Sequence, residues 1–116
     1  MVLAMRVIQV INHFGLDRGG AERLALGLHQ ALRDRGIDAR IFALEACETV
    51  GLEGAESLGF VSPYHPRAAL VLGRSLAALL RSGDVVHAHL FPASAHVAAL
   101  RAAGRINVPC LFTEHS

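Results

Sequence analysis

Two adjacent glycines near the amino end of the chain could bind a phosphate or another anion. Gly19 and Gly20 follow a run rich in valine and isoleucine and precede a segment with helical periodicity. Glycine has no side chain, so a ligand can approach the backbone closely there. The first turn of a helix also offers unpaired N–H groups and the positive end of the helix dipole. The loop lacks the GxGxxG spacing of nicotinamide-binding folds, and we predict no cofactor.

Histidines are the second group of residues that could do chemistry. His87 and His89 alternate along an apolar segment, so their side chains should point to the same face of a strand. That spacing is compatible with zinc, but no third ligand lies in suitable sequence context, so we predict no metal site. His89 lies nearer the carboxyl end of its segment, and His13 lies in the loop after the first strand. Each could hydrogen-bond a ligand.

The composition is that of one domain or part of one. The chain has 116 residues, 53% of them hydrophobic, and a net charge of +1. The charges are mixed along the sequence, so no nucleic-acid-binding surface is predicted. Cys47 and Cys110 are far apart and are predicted to be reduced thiols. Neither a signal peptide nor an apolar run of about 20 residues is evident, which favours a soluble, cytoplasmic protein.

Strands and helices that alternate along the sequence must position these residues. Apolar runs predict strands at Arg6–Ile11, 38–44, 60–61, Asp84–His89 and 108–113. Apolar residues at helical spacing predict helices over residues 21–35, 66–83 and 92–104. The segment from 45 to 59 is rich in glycine and glutamate without clear periodicity, and it is predicted to be a loop.

This alternation predicts an α/β fold, a Rossmann-like parallel sheet with helices on both faces. The near-continuous valine and isoleucine content of Arg6–Ile11 places that strand in the interior of the sheet. Ligands of such sheets collect beyond the carboxyl ends of the strands, so residues 12–20, 89–92 and 114–116 should meet at one edge. The sequence stops at the end of a strand. We therefore expect a truncated domain whose open sheet edge permits self-association.

Four segments, in this order and spacing, resemble the N-terminal domain of a family 4 glycosyltransferase of the GT-B fold. They are Val7-Ile-Gln-Val-Ile before Gly19-Gly-Ala-Glu-Arg, the helix end Leu32-Arg-Asp-Arg-Gly-Ile, the strand Asp84-Val-Val-His-Ala-His, and Val108-Pro-Cys-Leu-Phe-Thr-Glu-His. The resemblance spans nearly the whole chain. It implies two Rossmann-like domains that face a cleft. The N-terminal domain mainly holds the acceptor, and a C-terminal domain, absent from these 116 residues, holds the nucleotide-sugar donor.

The resemblance therefore predicts the acceptor-side domain of a retaining glycosyltransferase, which transfers a sugar from a nucleotide-sugar donor to a hydroxyl acceptor. That acceptor would be lipid-linked or a polysaccharide, and the parent enzyme would be cytoplasmic or peripheral to the inner membrane. Enzymes of this kind need no metal. Because the donor domain is missing, we expect this chain alone to be inactive.

The resemblance also assigns roles to individual residues. Gly19 and Gly20 resemble the family's glycine pair, which lies against the donor phosphates. His115 resembles the histidine that ends the corresponding strand near the transferred sugar, and it is the predicted catalytic residue. His13 and His89 are the predicted acceptor contacts.

Two other classes of protein share parts of this pattern. One is a non-catalytic flavodoxin-like or response-regulator module that binds or regulates. A response regulator needs an acidic cluster after the first strand, where Asn12 and His13 stand, and a flavodoxin needs a Ser/Thr-rich phosphate loop that is absent there. The other class, a sugar-nucleotide epimerase with the same two-domain fold, is the closer alternative.

Overall fold

The computed structural model describes residues 5–15, 20–49 and 51–114. The elements in chain order are β1 (Arg6–Ile11), α1 (Gly20–Asp34), β2 (Ala39–Glu45), β3 (Ala55–Phe60), α2 (Ala68–Leu79), β4 (Asp84–His89), α3 (Ala93–Ala102) and β5 (Cys110–Thr113). The five strands form one parallel sheet in the order β3-β2-β1-β4-β5. The predicted Rossmann-like α/β arrangement is confirmed.

β1 is the central strand, as its composition predicts. It pairs with β2 on one side and with β4 on the other, so that Val7 lies opposite both Ala39 and Val85. Ile8 and Val10 are fully buried. Because β1 has a neighbour on each edge and a packed layer on each face, it sets the positions of both neighbouring strands and of the loops that follow them.

Helices cover both faces of the sheet. The larger core lies under α2 and α3, where Leu72, Leu76 and Val97 form one apolar cluster with Val10 and Val86 of the sheet. A smaller core lies under α1 and consists of Ile11, Phe14, Ala25, Ile41 and Ala43. None of the helices in the described part of the chain is long and apolar enough to cross a membrane.

The prediction of a loop over residues 45–59 is wrong for its second part, which contains the strand β3. Ala55–Phe60 forms a parallel strand beside β2, and the strand predicted at 60–61 coincides only with its last residue. β3 is an edge strand whose side chains are half-buried or exposed, so its sequence lacks the buried apolar run that reveals an interior strand. Gly54 permits the chain to enter β3. Its φ is +77°, and a Cβ there would lie 2.6 Å from Arg33 Nη1.

β5 forms the opposite edge of the sheet and exposes Leu111 and Phe112. Self-association through this edge stays a prediction. Cys110, at its start, and Cys47 are both free thiols, as predicted. Burial raises the pKa of the Cys110 thiol, which keeps it protonated and unreactive.

A buried ion pair lies at the end of the sheet where the strands begin, which we call its amino edge; the end where the strands finish is its carboxyl edge. Arg6, at the start of β1, donates from Nε to Asp84 Oδ1 (3.1 Å) and from Nη2 to Asp84 Oδ2 (2.7 Å) at the start of β4. The same guanidinium donates to the carbonyl oxygen of Leu79 at the end of α2. Burial acts to raise the pKa of Asp84, but hydrogen bonds from Arg6 and from the Arg81 N–H outweigh it, so that this pKa lies below its ordinary value. The pair therefore ties two strands and a helix together.

We expect Asp84→Asn to lower the free energy of unfolding by about 3 kcal/mol, because it leaves the buried Arg6 charge without its counter-ion. The matched control is Asp38→Asn. Asp38 pairs with Arg40 at 3.4 Å, but both side chains are more than 40% exposed, so its loss should cost less than about 1 kcal/mol. Urea denaturation of the three proteins measures both differences, and equal losses would contradict the assignment.

The same pair predicts a dependence of stability on pH. The pKa of Asp84 is lower in the folded than in the unfolded chain, so its ionisation stabilises the fold above the ordinary carboxyl pKa of about 3.9. This stabilisation is lost as the pH falls through the folded-state pKa. We expect the difference in stability between the parent chain and Asp84→Asn to shrink in acid below about pH 4. A difference that is constant with pH would contradict this.

Candidate functional site

The carboxyl edge of the sheet is held together by Asn12, the residue that follows β1. Its side-chain Nδ2 donates to the carbonyl oxygen of Phe91 (3.1 Å), and its Oδ1 accepts from the Ala93 N–H (3.1 Å). Its backbone carbonyl accepts from the Glu45 N–H at the end of β2 (2.9 Å). One residue therefore links the ends of β1 and β2 to the loop between β4 and α3. We call this set of three hydrogen bonds the Asn12 clamp.

The segment that follows β5 reaches the same edge. The Leu90 N–H donates to the Thr113 carbonyl (2.9 Å), and Ser94 Oγ donates to Glu114 Oε1 (2.7 Å). The predicted convergence of the three carboxyl-end segments is thus confirmed for the residues that the structure describes.

The Asn12 clamp forms the floor of a shallow cleft of about 370 Å³. Its walls come from the segments that follow four different strands, β1 to β4. The lining residues are Asn12, His13, Glu45, Val61, Ser62, Pro63, Tyr64, Phe91 and Pro92. The volume lies in the lower part of the range typical of small-ligand pockets. The cleft also lies beyond the carboxyl ends of the parallel strands, where ligands of such sheets bind, so it is the candidate functional site.

His13 lines the cleft, where its position in the sequence placed it. Its Nδ1 accepts a hydrogen bond from the Gly15 N–H (3.1 Å), so the proton of the neutral ring lies on Nε2. Nε2 lies 3.3 Å from Glu22 Oε1 in the first turn of α1, and both side chains are buried. His13 therefore connects the cleft to the start of α1, and its contact with an acceptor stays a prediction.

His89 lies beneath the cleft rather than on its surface, and it is only 2% exposed. Its Nε2 donates to Gln9 Oε1 (2.7 Å), and Gln9 Nε2 donates in turn to the Ala25 carbonyl of α1 (2.9 Å). The rings of His87 and His89 face each other with centroids 4.0 Å apart and planes tilted by 33°. His87 is hydrogen-bonded to Thr113. The two side chains share a face, as predicted. This geometry makes His89 a buried link between α1 and the sheet, and its role as an acceptor contact stays a prediction.

Gly20 begins α1 and is exposed, with no atom within 4 Å of the place that a Cβ would occupy. Its φ is outside the left-handed region, so the backbone there does not itself require glycine. Gly19 and His115, the other residues of the predicted phosphate and catalytic sites, lie outside the described residues. Within 5–15, 20–49 and 51–114, no cluster of three His, Cys, Asp or Glu side chains could hold a metal ion.

A larger depression, of about 830 Å³, lies at the other end of α1. It is lined by residues that include Arg33, Asp34, Asp38 and Glu53, which precede β2 and β3. In parallel sheets, ligands bind beyond the carboxyl ends of the strands, and this depression lies at the amino ends. It is not the candidate site.

Sequence reasoning missed the residues that shape the cleft. The sequence places Asn12 only within the segment 12–20 after the first strand, as a residue that is not acidic, and it assigns no role to Tyr64. A signal was present in both cases. An Asn directly after an interior strand can cap a neighbouring loop, and an aromatic residue in a Ser-Pro turn is exposed by the turn itself.

A comparison with known families finds a match that covers most of the chain. A family model described as Glycosyltransferase Family 4 matches residues 18–116, most of the chain. No curated protein matches the sequence.

We expect Asn12→Ala to lower the free energy of unfolding by about 1–3 kcal/mol, because it leaves the Phe91 carbonyl and the Ala93 N–H without their side-chain partner. The control is Asn107→Ala at an exposed position, which should change stability by less than about 0.5 kcal/mol. Thermal denaturation measures both values.

Amide hydrogen exchange shows which part of the structure loses stability in Asn12→Ala. In Asn12→Ala the Ala93 amide should exchange faster than in the parent chain, whereas amides of α2 should be unchanged once the difference in global stability is subtracted. An Ala93 amide that keeps its protection in the variant would contradict the clamp.

Proposed function

The chain belongs to Glycosyltransferase Family 4, and we propose on that premise that it is the acceptor-side domain of a retaining glycosyltransferase. The enzyme would have the GT-B fold and would transfer a sugar from a nucleotide-sugar donor to a hydroxyl acceptor. The donor is held mainly by a second domain that faces the carboxyl edge of this sheet. We place the reaction in the cytoplasm, as the sequence predicts.

The observation that carries the proposal is the cleft at the carboxyl edge. It is built from the ends of four neighbouring parallel strands, and its floor is fixed by the Asn12 clamp rather than by loop contacts alone. A site whose loops are hydrogen-bonded to the sheet can hold a hydroxyl in one orientation for reaction, which is what transfer to an acceptor requires.

The cleft and the start of α1 differ in the positive charge that they offer to a donor phosphate. None of the described residues that line the cleft is an arginine, and the chain contains no lysine. Among the described lining residues, a diphosphate therefore finds no arginine or lysine partner. The start of α1 offers backbone N–H groups and the positive end of a 15-residue helix instead, and we propose that Gly19 and Gly20 approach the donor phosphates at that point.

The two sides are joined through His13. Its ring lines the cleft, while its Nε2 faces Glu22 in the first turn of α1. We propose that His13 contacts the acceptor and that His115 orients the transferred sugar. We propose His89 as a second acceptor contact, although its side chain is buried and hydrogen-bonded to Gln9.

Gly20→Val tests the donor side of the proposal in the enzyme that carries this domain together with its donor domain. A valine side chain at Gly20 would occupy the space through which phosphate approaches the backbone. We expect catalytic efficiency to fall by about 10²-fold or more, the scale for loss of one preorganised anion donor. The fold should be unaffected, because nothing lies within 4 Å of the added Cβ.

The matched control is Gly27→Val, on an exposed turn of the same helix and also with nothing within 4 Å. Both variants should unfold within about 0.5 kcal/mol of the parent. Only Gly20→Val should lose transfer activity, measured as release of nucleoside diphosphate at steady state. Near-normal turnover of a well-folded Gly20→Val enzyme would eliminate the phosphate contact.

A further inference from the structure

One rim of the cleft carries three exposed apolar side chains. Val61 is 92% exposed, Tyr64 63% and Phe91 60%. The rings of Tyr64 and Phe91 are in contact, with centroids 5.9 Å apart and planes tilted by 53°. Exposed apolar residues that gather at a concave site mark a binding surface more often than single ones do. We call Tyr64 and Phe91 the aromatic wall.

The loop that carries Tyr64 is held in place by several contacts. Ser62 Oγ accepts from the Tyr64 N–H (3.1 Å), and the Ser62 carbonyl accepts from the His65 N–H (3.1 Å). His96 of α3 donates from Nε2 to the Pro63 carbonyl (2.9 Å). These contacts fix the turn at both ends, so the Tyr64 ring is presented to the cleft without a large loss of conformational entropy on binding.

The other half of the wall is fixed from the floor. The carbonyl of Phe91 accepts the side-chain hydrogen bond of Asn12. The turn of residues 62–65, which carries Tyr64, is also stabilised by stacking of His65 on Phe60, with ring centroids 4.8 Å apart. The two rings therefore belong to two separately anchored segments that meet above a common polar floor.

The floor opposite the wall is polar. Asn12, His13 and Glu45 line it, and no arginine does so among the described residues. This charge pattern does not favour a phosphate, a nucleotide or an anionic lipid surface, each of which would need positive partners. It suits an uncharged molecule that has an apolar face and several hydroxyl groups.

We propose that the aromatic wall binds the C–H face of a pyranose ring, so that the acceptor of this domain is an uncharged carbohydrate. The inference rests on the proposed function and adds the chemical class of the acceptor. A sugar ring presents axial C–H groups on one face and hydroxyl groups around its edge. Its apolar face can pack on Tyr64 and Phe91, while its hydroxyl groups reach the side chains of the floor.

Tyr64 offers a direct readout of this binding. It is the only tyrosine of the chain, and there is no tryptophan, so intrinsic fluorescence reports on the wall alone. The 116-residue chain is titrated with methyl glucoside, galactoside, mannoside and N-acetylglucosaminide at millimolar concentrations. In parallel, saturation-transfer NMR detects binding without relying on Tyr64. We expect at least one glycoside to bind saturably and to change the tyrosine emission.

Three variants locate the site, and NMR measures all of them. Tyr64→Ala and Phe91→Ala should each weaken binding by about fivefold or more, the scale of a lost aromatic contact. Tyr64→Phe keeps the ring and should bind within about twofold of the parent, since a ring face does not need the hydroxyl. The control Phe112→Ala removes an exposed aromatic residue from β5, outside the cleft lining, and should bind like the parent.

The possible failures are distinct. Saturable binding that is lost in Asn12→Ala but unchanged in Tyr64→Ala and Phe91→Ala would overturn the wall and leave the acceptor site standing. Binding of octanol or of neutral phosphatidylcholine vesicles through the wall, with no glycoside bound, would overturn the carbohydrate assignment in favour of a lipid. No binding of any glycoside, octanol or vesicle in the cleft would overturn both the wall and the proposed acceptor site.

Discussion

The side chain of Asn12 is the interaction on which the site depends. β1 lies at the centre of the sheet, and its last residue leads directly into this amide, which satisfies one part-buried acceptor and one buried donor after β4. A hydrophobic residue at this position could fill the space but would leave both groups unpaired, at a cost comparable to a lost hydrogen bond for each. The cleft floor, the start of α3 and the Phe91 half of the rim are therefore fixed by a single polar side chain.

β1 and β4 contribute to stability at the amino edge of the sheet and to the cleft at its carboxyl edge. At the amino edge, a charged pair between β1 and β4 is enclosed by the end of α2, where it contributes to stability. At the carboxyl edge, the segments that follow the same strands line an open cleft, with Asn12 and His13 after β1 and Phe91 after β4. This division is typical of parallel α/β sheets, in which stability and ligand binding lie at opposite ends of the strands.

The sequence predicts the interior of the fold well and its edges less well. β1 and β4 have the bounds expected from their apolar runs, and the helices predicted over 21–35 and 92–104 lie within two residues of α1 and α3. The helix predicted over 66–83 is too long, because α2 ends at Leu79. β3 was predicted as a loop because an edge strand needs no continuous apolar run. The convergence of the carboxyl-end loops followed from parallel topology alone. The partners of Asn12 and the contact between Tyr64 and Phe91 join residues that are 27 or more positions apart, and no local pattern encodes such a pairing.

The central claim is that the carboxyl-edge cleft is the acceptor site of a Family 4 glycosyltransferase domain. The most direct measurement is a map of backbone amide shifts in the ¹⁵N-labelled chain during titration with a mixture of neutral oligosaccharides. We expect saturable changes in amide chemical shift to cluster at Asn12, His13, Glu45 and Phe91. None should occur at Arg33 or Glu53 in the amino-edge depression. Shifts that cluster at the amino edge would contradict the central claim, and a spectrum that does not respond would contradict the carbohydrate assignment.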